Sequence, residues 1–476
     1  MQTIFKDCMQ DNRFKGFNQE VQELVLRFEK MLNDNKAHYF DVEEFEFIID
    51  YYMEFENIEG MRKALRYASQ IFPQATPVKL RKAQYYAIEN ESEKALRLLV
   101  EIEALEPENS DLHYIRGTIY SQLQSSEMAI EEYNKAIKIG DEGLEDIYSN
   151  IAYEYENLGR NDKAIEYFKK ALEINPSNDT FLFDLASNMD VEQKYAECVD
   201  FLEAFIRNHP YSANAWFNLG MTYMRFELFE KAIDAFDYAL CINEELSMAY
   251  SCKAICYSSL KQSGKAIETL KEGLRKTTDK TQFLFLIAQE YELLENYETA
   301  VIYYKDAIKS EPYFAKAHLS IGVCYDKLED FNSGHPYLVK SIELEPQNPD
   351  FLLTAANILS YRERYEEATL LFEQCVALDM ENGNVWTAFA DMYADMDMYE
   401  VAVETLERGR LHVEDDLEIV CRIAAYNFLL GKMNNTYLAI HELLEQVPLY
   451  SSTLLEFCPE MGDDENILNI IKTYTD

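Results

Sequence analysis

Basic residues are scarce in this chain: 44 lysines and arginines stand against 86 aspartates and glutamates, a formal charge of 44 − 86 = −42 over 476 residues. Such a surface repels nucleic-acid phosphates and anionic membranes, so neither is expected as a partner. Long apolar runs are missing too. The run from Phe283 to Ala288 falls far short of the roughly 20 residues that cross a bilayer. The first 15 residues, Met1 to Lys15, alternate apolar with polar side chains and lack the continuous stretch of a secretory leader. A soluble, cytoplasmic chain is the expectation. No glycine-rich phosphate loop, nucleophile elbow or paired-histidine zinc helix is present, so no catalytic residue and no cofactor is expected. Cys252 and Cys256 lie four apart, but zinc takes four ligands and no second pair follows at a suitable spacing. No metal is expected, and the nine cysteines read as reduced, small apolar groups. The 15 glycines and 11 prolines nowhere gather into a low-complexity linker, so no appended domain is indicated.

What the chain does have is a recurrence of 34 residues. Ala164, Phe168, Ala171 and Pro176 align with Ala232, Phe236 and Ala239, and again with Ala300, Tyr304, Ala307 and Pro312. An earlier half recurs in Ile151, Ala152 and Tyr155, in Leu219, Gly220 and Tyr223, and in Ile287, Ala288 and Tyr291. With the small residue set at position 8, units start at 42, 76, 110, 145, 179, 213, 247, 281, 315, 349, 383 and 417. Apolar residues three and four apart over positions 4 to 11 and 20 to 27 predict two amphipathic helices per unit. Small side chains at 8, 20 and 27 let those helices approach, and prolines at position 32, from Pro73 to Pro448, stop the second.

This pattern resembles the tetratricopeptide repeat family. The resemblance implies an all-α superhelical solenoid of about twelve repeats with helical caps, stabilised by neighbour stacking. The expected organisation is an N-terminal helical cap over 1–41, repeats over 42–450, and a degenerate repeat with a capping helix over 451–476. Val21, Leu24, Val25, Phe28 and Leu32 mark the first cap, and Ile467, Leu468, Ile470 and Ile471 the last. The single extra residue falls at Gly140 to Gly143, which makes 140–144 a candidate joint. The 247–280 unit carries Lys253 at position 7, Gly273 at 27 and Thr278 in place of proline, so poor packing is expected there.

In proteins of this family the first helix of each unit lines a concave channel through positions 2, 5, 9 and 12, with position 6 close by. Carried across, these places hold Tyr114, Ser149, Tyr153, Phe183, Phe217, Met221, Met224, Met248, Ile255, Phe285, Leu319 and Val323, with Asn150, Asp184 and Asn218 at position 6. The lining is apolar at the centre and acidic at the ends, through Glu43, Glu46 and Asp50, then Asn384, Asp391 and Asp395. The apolar centre implies an interaction surface for a peptide or protein segment. A basic partner is the sharper reading of the charge, and a solvated acidic face the plainer one. The subclass that clamps acidic chaperone tails needs basic residues around Asn150 or Asn218. Those places hold Tyr114, Thr118, Thr180 and Asp184, or Phe183, Ser187, Met248 and Cys252, which excludes that ligand. The resulting expectation is a non-enzymatic scaffold or adaptor; the alternative is a structural protein whose groove is covered by another copy.

Overall fold

The protein is described from a computed structural model that covers residues 19–34, 38–140, 143–413 and 416–475. The leader reading at Met1 to Lys15, and Asp141 and Glu142 of the candidate joint, lie outside the described residues. Among those residues the chain is helical with no strand, and no helix is long and apolar enough to cross a membrane. Twelve helix pairs follow one another, from Val42–Glu54 with Ile58–Ile71 to Leu417–Leu429 with Met433–Gln446. The fourth pair opens at Leu144, one residue ahead of the unit start at 145, because Gly143 sits in the left-handed region (φ 64°) and turns the chain into the helix.

Local chemistry sets both ends of the helices. Asn178 Oδ1 accepts from the Thr180 and Phe181 amides, Asn348 Oδ1 from those of Asp350 and Phe351, and Asp416 caps Leu417–Leu429 in the same way. Second helices stop two residues before proline, as Asn161–Ile174 does before Pro176 and Tyr195–Asn208 before Pro210. The turn between the two helices of a pair is one repeated motif. Position 15 is left-handed in every pair, with φ between 52° at Glu56 and 71° at Gly431, and glycine occupies it only at Gly159 and Gly431. The amide at position 16 then reaches the carbonyl at position 11, as Asn296 does to Tyr291 at 2.9 Å, which closes a Schellman cap.

Close approach explains the small residues. A side-chain carbon on Gly117, Gly220 or Gly322 at position 8 would stand 2.6, 2.6 or 2.3 Å from Tyr133, Phe236 or Leu338 at position 24. The large residue at 24 therefore lies flat on the first helix. Buried aromatic and aliphatic groups of this kind each contribute about 1.5 to 3 kcal/mol. Gly273 of the 247–280 pair is itself closely packed. Its missing side chain makes room for Phe283 and Tyr250, whose atoms approach the place of a Cβ to 2.4 and 2.8 Å.

The pairs form two compact units, one ending at Asn243 and the other beginning at Glu244. Within each, second helices rest on the following first helix, and successive first helices also touch. We call the first-helix side, where several neighbouring pairs meet directly, the inner face. At the start, Gln19–Asp34 lays Val21, Val25 and Phe28 on the first pair, where Phe28 meets Phe40 and Phe45 edge-on. At the far end, Tyr450–Phe457, a short 3₁₀ turn and Glu465–Thr475 cover the last pair through Leu454, Met461 and Ile467, all fully buried.

Candidate functional site

The inner face is organised by contacts between position 9 of one first helix and position 6 of the next. Arg81 closes on Asp50 with two bonds of 2.5 and 2.9 Å. Arg422 does the same to Asp391 at 2.8 and 3.0 Å. In the middle of the first unit the contact is neutral-to-acid, the Tyr153 hydroxyl donating to Asp184 at 2.7 Å. The partners lie 31 residues apart in all three, a spacing visible in the sequence but not used there. One junction over, Asn150 Nδ2 donates to the Tyr114 hydroxyl at 3.4 Å.

These contacts correct the picture of acidic ends. Asp50 and Asp391 are not free carboxylates, since a half-buried arginine neutralises each. Burial pushes Glu46 above the ordinary glutamate range; Arg81 opposes this, and Asp50 reinforces it. The Arg422 guanidinium is held in its charged form by Asp391 and Glu418 against the cost of its own burial.

The expected lining residues separate into three groups. Phe183, Met248 and Ile255 are exposed, at 53%, 58% and 43%. Tyr114, Asn150, Tyr153, Asp184, Met221, Met224, Leu319 and Val323 are half-buried. Phe217 and Phe285 are buried, only 5% and 3% exposed, and Asn218 is 4% exposed. The expectation that both phenylalanines present their rings to solvent is therefore wrong. An aromatic at position 24 captures each: Phe236 lies 5.7 Å from Phe217, and Tyr304 lies 5.3 Å from Phe285. Phe314 of the following pair closes over Phe285 at 4.8 Å. In the pair holding Phe183, position 24 is Leu202, which offers no ring to stack on, and Phe183 stays exposed.

Phe183 borders a cleft of about 150 Å³ between Asp179–Val191 and Ala213–Arg225. Ala186, Ser187, Cys198, Asn218, Met221 and Thr222 line it, and Asp190 and Arg225, paired at 3.3 Å, close one rim. Three expected residues, Phe183, Asn218 and Met221, thus meet in one place; Met248, Ile255, Phe285, Leu319 and Val323 belong to the second unit. Burial raises the Cys198 thiol above its ordinary value, and Thr222 Oγ1 stands 3.4 Å from its sulfur. Burial likewise pushes Cys252 up to about 11 and Cys256 up to about 12. Among the described residues no three His, Cys, Asp or Glu side chains gather as a cation site.

Two polar arrangements escaped the pattern reading. In the third pair, His113 and Arg116 occupy packing positions and converge on Glu132, at 2.7 and 3.4 Å, while Lys135 adds a bond of 2.7 Å. Burial raises Glu132, but bonds from Lys135 and His113 and the charge of Arg116 outweigh it and hold the carboxyl below the ordinary value. In the second unit, Lys271 donates to the Tyr291 hydroxyl and lies over Tyr291 and Tyr303; Lys305 does the same with Tyr325 and Tyr337 one repeat later. Each lysine at position 25 is paired with tyrosines at 11 and 23 of the following pair, so these contacts set the stacking register.

The repeats are similar in sequence to those of known proteins. Tetratricopeptide repeat family models match residues 110–139, 145–178, 193–246, 281–314 and 315–348. Protein O-mannosyl-transferase TMTC3 of Homo sapiens is 25% identical over 290 residues, 59% of this chain and 31% of that protein. DnaJ homolog subfamily C member 3 of Gallus gallus is 22% identical over 335 residues, 66% of this chain and 61% of its own. The chain spans less than two thirds of the length of either curated relative. A tetratricopeptide repeat protein from Parabacteroides merdae has a solved structure that superposes with a TM-score of 0.40 at 15% identity, over 52% of this chain and 98% of that one.

Proposed function

Because this chain belongs to the tetratricopeptide repeat family, we propose that it is a non-enzymatic protein-interaction scaffold that holds a peptide or protein segment against its inner, first-helix face. The observation that carries this reading is the exposure of Phe183, Met248 and Ile255 on first helices whose packing does not require them. An uncovered apolar side chain gains about 25 cal/mol for each Å² that a partner removes from water. Exposed apolar residues beside polar neighbours, Phe183 in the first unit and Met248 and Ile255 in the second, each suit the anchoring of a chain segment better than a small metabolite. The acidic balance of the chain disfavours a nucleic acid or an anionic membrane as the occupant.

Site-specific photo-crosslinking tests the face. A benzophenone side chain placed at Phe183, Met248 or Ile255 should capture a defined protein species from the native source. The same group at Ile302 or Leu438, exposed on second helices, should not. Equal capture from both faces would refute the inner-face reading. Solution mass over a concentration series distinguishes a foreign partner from another copy of the chain: a constant monomer mass supports the scaffold.

A further inference from the structure

We propose that the junction around Phe183 selects a cationic segment, with an apolar side chain seated in the Phe183 cleft and an adjacent lysine or arginine taken up by Glu156 and Asp184. This rests on the inner-face reading and adds the chemistry of the occupant. Three observations converge on it.

The first is a missing counter-charge. Where position 9 meets position 6 at Asp50 and Asp391, an arginine completes the contact. At the Tyr153–Asp184 junction the acid receives only a neutral hydroxyl, at 2.7 Å. Glu156, one turn further along the same first helix, accepts only from the Asn188 amide. Burial and the nearby Asp184 charge both push Glu156 above its ordinary value, as befits two carboxylates sharing a site without a cation. Second, the cleft beside them holds a polar group with no side-chain partner. Asn218 is 4% exposed and lines the cleft, and its side-chain amide, bonded to no described side chain, opens on the cleft rather than being sealed in the core. An amide that bonds only to cleft solvent is available to bond to a ligand that displaces it. Third, Phe183 and Met221 offer apolar surface in the cleft with Asn218, and Phe183 adjoins Asp184 in the chain. An extended segment places successive side chains on opposite sides, and residues two apart on the same side at about 6.6 Å. A basic residue next to the anchor, or two from it, is within reach of the carboxylates with its long flexible stem. The overall charge of −42 adds long-range attraction for such a segment and repels a second copy of this chain.

The probes are fluorescein-labelled nonapeptides with a central phenylalanine in a glycine-serine background, flanked by two lysines, two glutamines or two glutamates, titrated against the full chain. The lysine peptide should bind at least about fivefold tighter than the glutamine peptide at low salt, and the preference should shrink as salt rises. The double variant E156Q/D184N keeps an oxygen acceptor for Asn188 and for Tyr153 while removing both charges, so it should abolish that preference. F183A should weaken both peptides alike, by about tenfold. E108Q/E127Q, two exposed glutamates removed elsewhere in the same unit, should leave the preference in place. Matching thermal melts establish that each variant is folded. Several outcomes overturn the inference: a glutamate peptide that binds best, no binding of the lysine peptide, or a lysine preference that survives E156Q/D184N. If F183A still weakens a charge-independent interaction, the inner-face reading stands and only the cationic selection falls.

Discussion

Glycine at the left-handed turn should stabilise this protein, and the second unit offers a clean place to show it. Glu295, Glu329 and Glu363 hold φ of 57°, 60° and 59°, are exposed, and make no ion pair in the structure. A side chain in the left-handed region costs roughly 1 to 2 kcal/mol relative to glycine. Glycine returns part of that, about 0.5 to 1 kcal/mol, through its greater freedom in the unfolded chain. The net gain is then about 0.5 to 1 kcal/mol per site. The sites are 34 residues apart in different pairs, so the gains should add to about 1.5 to 3 kcal/mol. For a unit of this size that raises the melting temperature by roughly 3 to 12 °C. Circular dichroism melts of the triple glycine variant, read against a triple glutamine variant, separate the backbone effect from the loss of three negative charges. The reverse change tests the same physics. Gly159 has φ of 65° and nothing within 4 Å of the place a Cβ would take, so Gly159→Ala should lose about 1 kcal/mol through the backbone alone. A glycine variant that melts no higher than the glutamine variant would refute the argument.

The buried Glu132 cluster yields a second expectation: Glu132→Ala leaves Arg116 and His113 without their shared acceptor and should destabilise the chain by about 3 to 5 kcal/mol, measurable by urea unfolding. The folded carboxyl is held below the ordinary glutamate value of about 4.3, so the stability it contributes is fully present above that pH. It is lost as pH falls through the folded value, and acid unfolding of the Glu132→Gln variant should be correspondingly shallower. Replacing Lys305 by Met should cost about 1 kcal/mol by removing one hydrogen bond and two ring contacts, with hydrogen exchange rising first in the 315–344 pair. Thiol labelling of the native chain followed by peptide mass mapping should modify exposed Cys241 well before Cys198, Cys324, Cys375 and Cys421, which are buried.

Much of the architecture was legible because it is governed by short-range spacing. A small residue at position 8 facing a large one at 24 defines each hairpin, and a repeat of 34 makes every hairpin cover the next; Gly220 and Phe236 show the pairing as readily in sequence as in space. The proline stops and asparagine caps are local in the same sense. The left-handed turn at position 15 was not legible, since most pairs carry Glu, Gln or Lys there, which do not favour that conformation. Packing of both flanking helices imposes it, and a Schellman bond across six residues holds it. The face of the candidate site was also set by tertiary contacts. Phe183, Phe217 and Phe285 share one repeat position, yet the residue at position 24 decides between solvent and core: Leu202 leaves the first outside, and Phe236 and Tyr304 take in the other two. Charge followed the same rule. Asp50 and Asp391 at position 9 and Asp184 at position 6 all look like free acids in sequence, but folding sets an arginine beside the first two and a tyrosine beside the third. Periodicity determines which helices exist and how they stack; the identity of the side chain brought across from the neighbouring pair determines what their shared surface presents.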